Sequence, residues 1–117
     1  MQIGDLEKYG FDVAGAMELC INDEDIYKEV LETALEEGRE KLVVFEDIFN
    51  AGDFDRYTIE AHGLKNAAKQ IGANELSEIA KASEFDGKDG NLQGIRDRHE
   101  TLMAKYKEVL DAIAQLF

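Results

Sequence analysis

The sequence predicts an all-α protein: an antiparallel four-helix bundle with a short additional N-terminal helix. Three observations carry that expectation. The 117-residue chain contains no proline, the residue that most strongly interrupts helices. Ala, Leu, Glu and Lys, all good helix formers, dominate its composition. Apolar residues recur at steps of three and four, in blocks separated by short Asn, Asp and Gly segments.

The elements follow in order. Asp12 can cap a short helix running to about Cys20. The acidic Asn22–Asp25 segment, NDED, is a strong helix start, because carboxylates accept from free N–H groups and suit the positive end of the dipole. A long helix follows, with Ile26, Val30, Ala34, Leu42, Phe45, Ile48 and Phe49 as its apolar face. Gly38 inside it marks either a bend or a close helix contact. Asn50–Asp53, NAGD, ends that helix and supplies Asp53 as the next cap. The third helix spans about Phe54 to Ile71, with Tyr57, Ala61, Leu64, Ala68 and Ile71 inward and Gly72 as its stop. A fourth runs from about Asn74 to Asp86, with Leu76, Ile79 and Ala80 inward, and Asp86–Asn91 reads as a turn. Asn91 caps the last helix, whose stripe is Ile95, His99, Leu102, Tyr106, Val109, Ile113 and Leu116. Amphipathic helices on short loops pack as an antiparallel bundle, here a single domain over residues 1–117.

Charge narrows the function classes. A formal net charge of −13 repels phosphate backbones and anionic lipid, so nucleic acid and membrane are excluded as partners. The opening residues lack the basic-then-apolar order of a signal peptide, and no apolar run approaches a bilayer span, so the reading is cytoplasmic. The single cysteine, Cys20, lies in an apolar run and reads as a buried, inert thiol. The acidic excess is uneven. Asp23 to Asp47 holds ten acidic residues against three basic ones, a net of −7. Phe54 to Gly72 holds three basic against two acidic, a locally positive helix in an acidic protein.

The two histidines occupy different positions. His99 lies on a core stripe and fits a structural role. His62 follows the stripe residue Ala61, so it is turned about 100° off the buried line. Lys65, Asn66 and Lys69, at three, four and seven residues further, share its outward side. Gly63 costs a helix about 1 kcal/mol relative to Ala, and leaves room beside the imidazole. An exposed neutral imidazole is a nucleophile near pH 7, and its Nε2 can attack a phosphoryl group to give phosphohistidine. A neighbouring ammonium such as Lys65 would stabilise the phosphoryl oxygens. A Glu-x-x-His metal motif is missing: Ile59 and Arg96 stand three residues before the two histidines, and no metal site is expected.

The segment AHGLKNAAKQIGANEL resembles the signature of histidine-containing phosphotransfer (HPt) domains, His-x-Leu-Lys-Gly with a further Gly ten residues after the His. The matching residues are His62, Leu64, Lys65 and Gly72. YGFDVAGAMELCINDEDIYKEVLETALEE and AGDFDRYTIEAHGLK resemble the earlier parts of these domains. The resemblance implies a four-helix bundle with an exposed phospho-accepting histidine midway along one helix. It implies relay with aspartates of response-regulator receiver domains, fed by a sensor or hybrid histidine kinase, with Mg²⁺ on the receiver and no cofactor here. Carried over residue by residue, His62 is the phosphorylation site, Lys65 its basic partner and Gly72 the structural glycine ending the helix. Glu84 matches the position of a polar residue that hydrogen-bonds the imidazole Nδ1. Gly63 and Asn66 face the partner, with Lys69 and Lys88 as secondary candidates beside the plain reading of each as a solvated lysine. Asn66 departs from the signature, which has Gly there. It implies tolerance or altered partner choice, and leaves open an alternative: a helical adaptor that docks signalling partners without phosphotransfer.

Overall fold

The computed structural model describes all residues, 1–117, and is helical throughout. A 3-10 helix, Ile3–Tyr9, precedes five α-helices: α1 (Val13–Leu19), α2 (Glu24–Asn50), α3 (Phe54–Gln70), α4 (Asn74–Lys88) and α5 (Leu92–Ala114). The four long helices form the bundle, and α1 is the expected short N-terminal addition. The caps expected from sequence are made. Asp12 accepts from the Gly15 N–H, Asp23 from Asp25 and Ile26, Asp53 from Arg56, and Asn91 from Gly94.

Three local features differ from the sequence reading. The 3-10 helix was not anticipated. Its seven residues are too few to show a period, yet it buries Ile3 and Leu6, and Phe11 follows them into the core. The α2 stripe holds at Phe45 and Ile48, which are buried as expected, but its first half is displaced by one position: Tyr27, Leu31, Leu35 and Gly38 are buried, while Ile26, Val30, Ala34, Leu42 and Phe49 lie half-buried at its edge. Helix α4 runs two residues past Asp86, through Gly87. A Cβ at Gly87 would overlap Thr58 on α3, so this glycine permits close contact between helices instead of ending one.

Two further glycines set helix approach. At Gly38 a Cβ would lie 2.5 Å from a Leu110 methyl, so the glycine marks a close α2–α5 contact. Gly72 stops α3 in the left-handed conformation, φ 85°. Its carbonyl accepts from the Asp12 N–H at 2.9 Å, and a Cβ there would lie 2.5 Å from the Asp12 carbonyl oxygen. The neighbouring Ile71 carbonyl accepts from the buried Tyr27 hydroxyl at 2.8 Å. The end of α3 is therefore pinned by both α1 and α2. Cys20 is buried, as its apolar surroundings suggested.

Substituting Gly72 and Gly63 should separate these roles. Gly72→Ala combines a positive φ with a backbone clash and is expected to cost about 2 kcal/mol or more. At Gly63 an added Cβ meets nothing within 4 Å. Gly63→Ala should raise stability by up to about 1 kcal/mol through helix propensity. Chemical denaturation of both variants measures the difference.

Candidate functional site

His62 sits midway along α3 with 54% of its side chain exposed, while the facing Glu84 on α4 is only 5% exposed. The apolar stripe Tyr57, Ala61, Leu64 and Ala68 turns into the core and carries His62 around to the bundle surface. Glu84 reaches it because α3 and α4 pack closely, with Gly87 against Thr58 and the Ser77 hydroxyl donating to the Lys65 carbonyl at 2.8 Å.

One carboxylate organises the site. Glu84 Oε2 accepts from His62 Nδ1–H at 2.5 Å, and Oε1 accepts from Lys65 Nζ at 2.7 Å. Lys88 Nζ, one turn on, lies 3.2 Å from Oε2. Lys65 holds the Glu84 carboxyl down at about 2, against the opposing effect of burial, with His62 and Lys88 adding to it. Glu84 is thus ionised near neutral pH and can only accept hydrogen bonds. The proton of the neutral His62 ring is therefore on Nδ1, and the Nε2 lone pair is free of it. Asn66 Nδ2 lies 3.3 Å from that Nε2, on the exposed side.

The other residues expected at the site divide. Lys65 is present, with its ammonium turned onto Glu84. Lys88 joins the cluster through the same carboxylate. Lys69 is exposed on the last turn of α3 and makes no ion pair. Gly63 lines an apolar hollow of about 230 Å³ between α2, α3 and α5, whose walls include Lys41, Glu60, Phe45 and Tyr106 but not His62. An added Cβ at this glycine would meet nothing within 4 Å, so the position is open. Two apolar side chains escaped the sequence reading: Ile59, one turn before His62, is 70% exposed, and Phe85, next to Glu84, is 66% exposed. An apolar residue off the stripe was their only sequence signal.

His99 shows what a structural histidine looks like in the same bundle. It is buried, stacks on Phe49 with ring centroids 3.8 Å apart, and bonds at both nitrogens. Glu46 accepts from Nε2–H at 3.0 Å, and Nδ1 accepts from the Tyr57 hydroxyl at 2.8 Å. Burial raises the Tyr57 pKa and keeps that hydroxyl a donor. No three His, Cys, Asp or Glu side chains converge in a way that could hold a metal ion, and no helix is long and apolar enough to cross a membrane.

The site is an exposed imidazole braced from behind by a buried carboxylate, on a helical bundle. The Hpt domain family model matches residues 29–116, and the chain belongs to that family. The crystal structure of histidine-containing phosphotransfer protein B (HptB) from Pseudomonas aeruginosa PAO1 superposes with a TM-score of 0.79 at 25% identity, covering 90% of this chain and 91% of that one. No curated protein sequence matches. The function is histidine phosphotransfer in a phosphorelay, the work of a family that acts with receiver domains and kinases.

The Glu84 brace has a pH signature. A carboxyl lowered from 4.5 to about 2 contributes stability that is complete above about pH 4.5 and is lost as pH falls toward 2. Glu84→Gln keeps a hydrogen-bond acceptor but cannot ionise. Unfolding free energies of the two proteins from pH 6 down to pH 2 should converge as the wild type gives up this contribution.

Proposed function

We propose that His62 is the phosphoryl-accepting residue, and that it exchanges the group with aspartates of response-regulator receiver domains. The observation that supports this most is the half-exposed ring whose Nδ1–H is committed to a buried, ionised Glu84. The Nε2 lone pair forms the N–P bond as the P–O bond of the aspartyl phosphate breaks, and that electron pair leaves with the aspartate carboxylate. The ring gains positive charge, and its Nδ1 proton stays against Glu84, which offsets that charge. Orientation is then set before the partner arrives.

Lys65 has donors beyond the one given to Glu84, and supplies positive charge at the phosphoryl oxygens. Mg²⁺ enters with the receiver, held by its carboxylates, and this chain needs no cofactor of its own. Exposed Ile59 and Phe85 offer apolar contact beside the imidazole, while Gly63, Asn66, Lys69 and Lys88 complete the face presented to the receiver or to a sensor or hybrid kinase. Residues 1–117 act as one cytoplasmic relay module. The adaptor alternative draws its support from Asn66, where the family signature has glycine.

Incubation with a phosphorylated receiver domain tests the assignment. Acid-labile label should appear on wild type and be absent from His62→Gln. Equal labelling of both would contradict it, and receiver binding without transfer to wild type would favour the adaptor.

A further inference from the structure

Nε2 of His62, the atom that must attack phosphorus, already has a neighbour. Asn66 stands one turn along α3, and its amide Nδ2 lies 3.3 Å from Nε2. An amide nitrogen can only donate, so this contact requires an unprotonated Nε2 whose lone pair accepts. Glu84 on the opposite side of the ring already requires the same tautomer, through a shorter bond to a carboxylate. Asn66 therefore adds little to tautomer choice. Its effect falls on the lone pair itself, which cannot accept from the amide and form a bond to phosphorus at once.

We infer that Asn66 is a gate on the reactive nitrogen: its side-chain amide masks the Nε2 lone pair at rest and must swing aside before phosphoryl transfer. The inference rests on His62 being the phosphoryl acceptor. Asn66 is exposed on the helix surface, so the swing needs only side-chain rotation. A receiver that offers the amide an acceptor of its own would favour the open state, while a donor without such a group meets the masked nitrogen. Asn66 is thus a specificity-determining residue that touches the reacting atom. The chemistry is otherwise unchanged. The lone pair forms the N–P bond, the donor's leaving group departs with the electron pair of its broken bond to phosphorus, and the Nδ1 proton remains beside Glu84.

A small-molecule donor removes partner docking from the test. With phosphoramidate, the P–N bond of the protonated donor breaks and ammonia leaves. Asn66→Ala, at an exposed helix position that Ala suits, should be phosphorylated on His62 about two- to fivefold faster than wild type, the low end of what one hydrogen bond is worth given its length. The ¹⁵N resonance of Nε2 in the unphosphorylated protein should also move in Asn66→Ala toward that of a nitrogen accepting no protein hydrogen bond. Asn66→Leu, which keeps the bulk without the donor, should show the same shift. Equal phosphorylation rates, or an Nε2 resonance unchanged in both variants, would overturn the gate while leaving the relay assignment intact. Absence of label on His62 in wild type and variant alike would remove the relay assignment, and the gate with it.

Discussion

The site depends on one buried carboxylate. Glu84 reaches across the α3–α4 interface and accepts from both His62 Nδ1–H and Lys65 Nζ. An ionised carboxylate at 5% exposure is costly to desolvate, and it persists here because two ammonium groups and an imidazole surround it. Lys65 contributes most to keeping it charged. Three consequences follow from this single arrangement. The imidazole tautomer is set, Nε2 is left unprotonated on the exposed side, and the Lys65 ammonium is held on the same carboxylate as the ring.

The bundle supplies the distance that makes the arrangement possible. Glu84 can meet His62 only where α4 lies close to α3, and small side chains create that proximity. Gly87 sits against Thr58, and the Ser77 hydroxyl closes onto the Lys65 carbonyl. At the far end of α3, Gly72 and Ile71 anchor the helix to α1 and α2 through main-chain and tyrosine hydrogen bonds. The helix that carries His62 is thus fixed at its C-terminal end and along its length, which holds the imidazole in place.

Much of this was legible in the sequence, for physical reasons. Asp12, Asp23, Asp53 and Asn91 are capping residues at the starts of periodic segments, and the helices begin there because capping is a local interaction. The outward turn of His62 follows from one helical step past Ala61. What escaped notice depends on contacts between distant segments. Gly87 looks like a turn glycine until α3 is seen against it. The 3-10 helix is too short to carry a period, and only its burial of Ile3 and Leu6 explains it. In the first half of α2, apolar residues stand side by side as Ile26–Tyr27, Val30–Leu31 and Ala34–Leu35, so the period fits either line and only packing against the other helices selects the second. The family resemblance pointed to Glu84 as a partner of Nδ1, but its depth and its shared grip on Lys65 and Lys88 are properties of the packed helices.

His62 and His99 make opposite use of the same chemistry. Each has a carboxylate on one nitrogen, but Glu84 takes Nδ1–H of His62 whereas Glu46 takes Nε2–H of His99. The second nitrogen of His99 is closed by Tyr57 in the core, and that of His62 faces outward with Asn66 beside it. A single long-range ¹H–¹⁵N correlation spectrum of the wild-type imidazoles, recorded where both rings are neutral, tests the account most directly. His62 should appear with the proton on Nδ1 and an unprotonated Nε2, and His99 with the proton on Nε2. A His62 ring carrying its proton on Nε2 would contradict the claim that Glu84 sets the reactive nitrogen.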